Sequence, residues 1–404
     1  MMNKKPLSIY VHIPFCKQKC IYCDFLSFGG TVQAKQEQYV SALCKELALY
    51  KSIADRYQVK TIFFGGGTPS YIDAEFVWKI LDTIRKIFWV TEDAEITLEG
   101  NPDSLSLEKL KVYRKAGINR LSIGLQSAKD DLLVRLGRVH NYQQFLNAYT
   151  NARQAGFRNI NIDLMSGLPG ETEASYLETL ERITALQPEH ISAYSLIVEE
   201  GTPLYENDNL LDLLPSEETD RKLYAKTKEM LLAKGYNRYE ISNYAKEGFA
   251  CWHNLVYWTG GEYLGVGLGA SSYISVPSAQ KKRVRFHGME NLEEYITFFN
   301  TYEKGNVCGS GMVEQLWQEG YQELQIQTKN EAIEEFMFLG LRLTKGISKE
   351  EFEKRFGVTI ESIYMKMIEK YKREGLLVED GGRIYLSDVG IDVSNMVMSE
   401  CLLE

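Results

Sequence analysis

The chain has 404 residues, 44 % of them hydrophobic and 25 % charged, the composition of a globular protein with room for two or three domains. A net charge of −9 argues against nonspecific binding of nucleic acid or anionic lipid, and no run is long and apolar enough to span a bilayer. Seven cysteines, an odd and mostly scattered set, and a start that runs directly into a strand signal without a signal-peptide core predict a cytoplasmic protein.

The first strand signal, Leu7–Val11, opens into Tyr10-Val-His-Ile-Pro-Phe-Cys-Lys-Gln-Lys-Cys-Ile-Tyr-Cys-Asp-Phe25. Cys16, Cys20 and Cys23 form a C-x3-C-x2-C triplet, which can point three thiolates at one centre; thiolates are the usual ligands of iron–sulfur clusters. Three ligands for four irons leave one iron open. Zinc sites more often pair two separated C-x2-C units, and three clustered cysteines cannot all form disulfides. Ordinary loop cysteines are the plain alternative. Cys44, Cys308 and Cys401 carry no motif and read as packing residues.

Further strand signals follow at Val59–Phe64, Glu95–Leu98, Arg120–Gly124, Ile160–Leu164 and Ile191–Leu196. Helical patterns lie between them, near 33–54, 73–88, 105–116, 142–156 and 172–186, with another near 217–235. Several strands are apolar at successive positions, as in a parallel sheet covered by helices. The pattern predicts an α/β fold, a partial (β/α)6 TIM-like barrel with its chemistry on loops at the strands' C-terminal ends; a doubly wound sheet is the alternative. Those ends are polar: Gly65-Gly66-Gly67-Thr68-Pro69-Ser70, Glu99-Gly100-Asn101-Pro102, Gln126-Ser127 with Arg138 beyond, and Asp163. One shared pocket explains such a series better than four separate structural polar groups.

The triplet resembles that of the radical S-adenosylmethionine superfamily, in which it holds a [4Fe-4S] cluster whose fourth iron chelates the amino and carboxylate groups of the methionine moiety. Along most of the chain the series is similar to the oxygen-independent coproporphyrinogen III oxidase-like family. That resemblance implies that Gly66, Gly67 and Thr68 meet the methionine amino group, and that Tyr10, Tyr22, Glu99, Gln126, Arg138 and Asp163 also contact S-adenosylmethionine. The true oxidases carry a further cysteine two residues after the triplet, where this chain has Phe25, and a longer N-terminal extension, which the short lead into the first strand predicts to be missing. The Cys-x2-Cys-Asp-Phe form is instead similar to the family's heme chaperone branch. This implies heme as ligand and acceptor hemoproteins, such as those of the respiratory chain, as partners. A radical enzyme of porphyrin biosynthesis, acting as a coproporphyrinogen III dehydrogenase, is the alternative.

Further on, Cys251-Trp-His-Asn-Leu-Val-Tyr-Trp258 matches the His-Asn-x-x-Tyr-Trp signature of the chaperone branch. Imidazole is a common axial heme ligand and aromatic rings stack on porphyrins, so His253 is the candidate heme ligand and Cys251 the second. In the plain reading, His253 and Asn254 form a turn and Trp252, Tyr257 and Trp258 fill a seam between domains. Gly265-Val-Gly-Leu-Gly-Ala-Ser271 either closes the cofactor site from below or is only a tight strand connection.

The chain divides on this reading into a barrel over 1–236, a connector over 237–328 with one helix near 291–303, and a C-terminal unit over 329–404. The last has helical patterns near 330–344, 349–356 and 360–374, a hairpin over 376–386 turning at Asp380-Gly381, and a helix from Val389, an α+β winged-helix-like order. Its 11 basic and 15 acidic residues are wrong for a phosphate-binding face, so it reads as a lid, a homodimer surface or a docking site.

Overall fold

The computed structural model describes residues 4–278, 282–302 and 311–403. Cys308 and the last residue of the helix expected to end at 303 lie outside them. Six strands alternate with helices: β1 (Lys5–Ile13), α1 (Gln33–Leu49), β2 (Tyr57–Gly66), α2 (Ala74–Ile87), β3 (Trp89–Gly100), α3 (Leu107–Ala116), β4 (Arg120–Gln126), α4 (Asp130–Arg135), α5 (Tyr142–Gln154), β5 (Ile160–Ser166), α6 (Glu173–Ala185) and β6 (His190–Ser195). Local chemistry sets their limits. In α2, Asp73 accepts from the Glu75 N–H as N-cap, and Val77, Ile80, Leu81 and Ile84 form one buried stripe. Each such side chain contributes about 1.5–3 kcal/mol on burial. In α3, Ser106 caps the start and Gly117, at φ +100°, ends it.

After β6 come α7 (Asp208–Leu211), α8 (Glu217–Ala233), β7 (Asn237–Arg238), β8 (Asn243–Ala245), α9 (Trp252–Trp258), β9 (Tyr263–Val266), β10 (Ser271–Ser275), β11 (Arg283–Gly288), α10 (Leu292–Thr301), α11 (Gly311–Gly320) and β12 (Tyr321–Ile326). All twelve strands belong to one sheet, in the order β12-β11-β10-β9-β1-β2-β3-β4-β5-β6-β8-β7. Strands β1 to β6 pair in parallel, in chain order, as the partial barrel requires. β9 adds a further parallel strand beside β1, and β10 to β12 continue from it in antiparallel pairs. The stretch 272–328, legible in sequence only as a connector with one helix, therefore supplies most of one wing of the sheet. β12 carries no apolar pattern because it is an edge strand, exposed at five of its six positions.

The C-terminal unit has its own hydrophobic core, centred on Met337, Phe352, Ile360 and Val397. It comprises α12 (Lys329–Gly340), β13 (Ile347–Ser348), α13 (Lys349–Phe356), α14 (Glu361–Arg373), the hairpin β14 (Leu377–Asp380) and β15 (Arg383–Leu386), α15 (Asp388–Asp392) and α16 (Ser394–Ser399). The hairpin turns through Gly381 and Gly382, both at positive φ. Among the described residues no helix is long and apolar enough to cross a membrane.

Candidate functional site

The C-terminal ends of the parallel strands meet at one cavity. Beyond β1, Phe15 and Cys16 pair with Phe28 and Gly29, closing the cysteine loop into a short parallel bridge. The glycine turn after β2 is joined to that loop: Gly67 N donates to Ile13 O at 2.9 Å and Thr68 N to Phe15 O at 2.8 Å. A Cβ on Gly66 would fall 2.6 Å from His12 Cε1, and one on Gly67 2.9 Å from Phe15 O and 3.0 Å from Cys16 Sγ. Gly66 also has φ +107°, so only glycine lets this turn run against the cysteine loop.

The cavity holds about 280 Å³ and is lined by Cys16, Cys20 and Cys23 together with Tyr22, Gly66, Gly67, Thr68, Glu99, Gln126, Arg138 and Asp163. Of the predicted cofactor contacts, Tyr10 alone does not line it. Its ring lies set back in β1, with the hydroxyl 3.1 Å from His12 Nδ1 and the face near Phe63. Sequence reading missed Ser122 and Tyr194 as lining residues. It noted Asn101 without giving it a role. Asn101 joins two predicted residues: Arg138 Nη2 donates to its Oδ1 at 2.7 Å, and its Nδ2 donates to Thr68 Oγ1 at 3.1 Å. Ser122 donates to Asp163 Oδ2 at 3.0 Å, and the Tyr194 hydroxyl to Gln126 Oε1 at 3.1 Å. Position at a strand's C-terminal end was the available signal for Asn101 and Tyr194, whereas Ser122, third in β4, carried none. Gln126 itself is turned inward by an irregularity in the β4–β5 register and sits at φ +74°, a costly conformation for a residue with a side chain.

Arg138 is the fixed positive charge of the cavity. Besides Asn101 it donates to Gly124 O at 2.6 Å, and its Nη1 reaches Cys20 Sγ at 3.4 Å. Its buried Nε has no partner, and no carboxylate pairs with it among the described residues. Opposite it stand two carboxyls whose hold on their protons burial strengthens. The Glu99 carboxyl is pushed up to about 8 by burial and by the neighbouring Asp163, and burial raises Asp163 despite donors from Ser192, Ser122 and Asn161. An unpaired guanidinium beside two such carboxyls suits a zwitterionic amino acid: carboxylate to Arg138, ammonium to the acid pair. The three thiols border the cavity, and among the described residues no group of three or more His, Cys, Asp or Glu side chains is gathered as a metal-ion site.

Glu99 gives a pH test. A cationic ligand favours the carboxylate, whereas the free protein holds the carboxyl up to about 8, so binding must expel a proton. S-adenosylmethionine affinity is expected to rise between pH 6.0 and 7.5, by at most roughly tenfold per pH unit. Glu99→Gln should flatten this dependence in isothermal titration. An equal slope in the variant would remove Glu99 from the ligand's charged end.

Residues 10–183 match the family model of the radical SAM superfamily, and residues 327–393 that of the HemN C-terminal domain. The chain is 36 % identical over 402 residues to the heme chaperone HemW of Bacillus subtilis, covering 98 % of this chain and 99 % of that one. It is 33 % identical to the HemW of Lactococcus lactis, covering 100 % and 99 %. The chain belongs to the HemW-type heme chaperone family of the radical SAM superfamily. Its fold is also that of the coproporphyrinogen III oxidase HemN of Escherichia coli, with a TM-score of 0.81 over 98 % of this chain and 90 % of that one, at 22 % identity.

The Cys251–Trp258 stretch lies at the opposite end of the barrel. Cys251 to Trp258 do not form a turn: residues 252–258 are the helix α9, and Glu95 of β3 caps it from inside the barrel. The Glu95 carboxylate accepts from Trp252 N and His253 N, both at 3.1 Å, and from Cys251 Sγ at 3.5 Å. His253 is buried against Phe63, with ring centroids 5.1 Å apart. Its Nδ1 lies 2.8 Å from Thr61 Oγ1 and its Nε2 3.0 Å from the Tyr257 hydroxyl. The Thr61 hydroxyl donates to Ser8, so it accepts from His253 Nδ1–H, and Nε2 accepts from Tyr257. Burial lowers His253 to about 3 and pushes the Cys251 thiol up to about 12. Neither expected heme ligand has a free, exposed donor atom here. Trp258 packs under Arg342 of the C-terminal unit at 4.4 Å, as the seam reading expected, whereas Trp252 is 45 % exposed.

A buried polar chain joins the two ends: Asp163 to Asn161 at 2.7 Å, Asn161 to His190 at 2.6 Å, His190 to Tyr239 at 2.8 Å and Tyr239 to Cys251 N at 3.3 Å. The Gly265–Ser271 stretch joins the end of β9 to the start of β10 and so stands beside the cysteine loop rather than below the cavity. Gly267 N donates to the buried Glu46 at 2.8 Å, and Leu268 N to the Tyr39 hydroxyl at 2.9 Å. Tyr39 in turn donates to His12 O at 2.7 Å, which ties this loop to the strand leading into the cysteines.

His253→Ala is expected to destabilise the protein by about 3 kcal/mol, because it leaves a cavity and the unpartnered Tyr257 hydroxyl in the barrel. Urea unfolding checks this. A change under about 0.5 kcal/mol, the size of an ordinary surface substitution, would show that the buried ring is not holding α9 in place.

Proposed function

We propose that the protein binds heme and passes it to acceptor hemoproteins, and that it carries a [4Fe-4S] cluster on Cys16, Cys20 and Cys23 beside an S-adenosylmethionine site. The end-to-end match to heme chaperones is the observation that carries this reading. Phe25 is 68 % exposed and lines the cofactor cavity where the oxidases have a fourth cysteine, so an apolar face borders that site.

When bound, the cluster and S-adenosylmethionine supply one-electron chemistry. The chain's own residues bind and orient. Arg138 takes the methionine carboxylate, the Gly66–Thr68 turn and Glu99 take the amino group, and Asp163 takes a ribose hydroxyl or adds to the charge opposite the ammonium. The geometry favours a packing role for His253 and Cys251. Heme ligation by either needs α9 to leave its cap on Glu95, so a heme spectrum unchanged in His253→Ala agrees with the reading.

Anaerobic reconstitution followed by parallel assays tests it. The protein is expected to take up ferric heme, to load an apo-hemoprotein, and to leave coproporphyrinogen III unchanged. Catalytic formation of protoporphyrinogen IX would overturn the chaperone assignment.

A further inference from the structure

A second cavity, of about 650 Å³, opens at the foot of the barrel against the C-terminal unit, at the opposite end from the cysteines. The start of β1 gives Lys5, the approach to β9 gives Glu262, the start of β11 gives Lys282 and Arg283, and α12 and α13 give Lys329 and Arg355. Five basic side chains thus face one carboxylate, in a chain whose net charge is −9. That carboxylate is already committed. Glu262 accepts from Tyr57 at 2.8 Å and from Ser275 Oγ at 2.7 Å, lies 3.4 Å from Lys5, and is 4.0 Å from Arg283 Nε.

The two guanidiniums are held in place before any ligand arrives. Arg283 lies over Tyr273 at 5.0 Å and donates to Gly260 O at 2.7 Å, capping the chain where it leaves α9. Arg355 lies between Phe336 and Phe356, at 5.6 and 5.5 Å, and no ion pair neutralises it among the described residues. Burial, and next the like charge of Arg283, weaken its hold on its proton; Glu351 and Glu335 offset this only in part. Capping Gly260 accounts for one arm of Arg283 and leaves the pairing of two cations unexplained. One wall is apolar, with Phe356, Ala332 and Ile326, the last 49 % exposed.

We propose that this cleft binds an amphipathic dianion, an apolar body carrying two carboxylates, with Arg283 and Arg355 each pairing one carboxylate. Resting on the function proposed above, the dianion is heme, held by its two propionates at the foot of the motif helix. The volume lies within the usual 300–1,000 Å³ of small-molecule sites, and planar guanidinium forks are the side chains best matched to carboxylates.

Heme uptake by the full chain, read from the Soret band, tests this against iron protoporphyrin dimethyl ester, whose propionates are uncharged. Wild type is expected to bind heme at least tenfold more tightly than the ester. The pair Arg283→Gln and Arg355→Gln should abolish that preference. Should the pair fail to fold, Lys282→Glu with Lys329→Glu, both at exposed positions, should reduce it severalfold. Equal affinity of wild type for heme and ester, or a full preference in the charge-reversed variant, overturns the proposal while leaving the chaperone reading intact. Absence of any heme binding by wild type overturns both. Stabilisation by inorganic pyrophosphate that these substitutions remove, with heme affinity untouched, makes the cleft a phosphate site and overturns the heme assignment.

Discussion

Cys20→Ala, reconstituted anaerobically, is expected to lose its iron–sulfur cluster outright rather than hold an altered one. In the proposed cluster each thiolate binds a separate iron, and a cubane held by three protein ligands has no redundancy. No substitute thiol is at hand among the described residues. Cys44 packs beside Thr83, Cys251 lies under the barrel and Cys401 in the C-terminal core, and none lines the cavity. The fold should survive, because Cys20 is only half-buried and its side-chain contact is the 3.4 Å approach of Arg138. Iron and acid-labile sulfide per chain are the measurements, with Cys44→Ala as the control that keeps both. Undiminished iron and sulfide in Cys20→Ala would remove the triplet as the cluster's seat.

Arg138→Ala is expected to weaken S-adenosylmethionine binding by about ten- to a hundredfold with the cluster retained. A hydrogen bond to a charged group contributes about 1.5–3 kcal/mol, and every 1.4 kcal/mol is tenfold in affinity. The effect should sit at the upper end because Arg138 is the fixed cation of the pocket and also orients Asn101 at 2.7 Å, which reaches Thr68 at 3.1 Å. Arg138→Lys keeps the charge but loses the planar fork, and should fall between. Titration of the reconstituted protein checks both. Wild-type affinity in Arg138→Ala, at full cluster content, would show that the methionine carboxylate is held elsewhere.

The alternation of apolar strands and amphipathic helices determined the barrel, because a strand such as Ile160–Ser166, buried at every position but Asp163, can only lie in a covered sheet. The triplet and the polar strand ends determined which end of that barrel carries the cavity. They did so because chain order and parallel pairing put every β-to-α loop on one side. Local chemistry likewise set the hairpin of the C-terminal unit, whose Gly381 and Gly382 take the positive φ its turn requires.

Tertiary structure alone decided the rest. The edge strand Tyr321–Ile326 exists by pairing with Arg283–Gly288, and a polar segment carries no sign of that in its own residues. His253 reads in sequence as a candidate heme ligand or a turn former. It is fixed instead by Thr61, Phe63, Tyr257 and the capping carboxylate of Glu95, residues up to 192 positions away. The cationic cleft joins Lys5 to Arg355 across almost the whole chain and matches no spacing rule. Spacing reports what a segment can do by itself. Burial, pairing and unbalanced charge belong to segments that meet only when the chain folds, and those terms fixed the surroundings of His253 and Arg355.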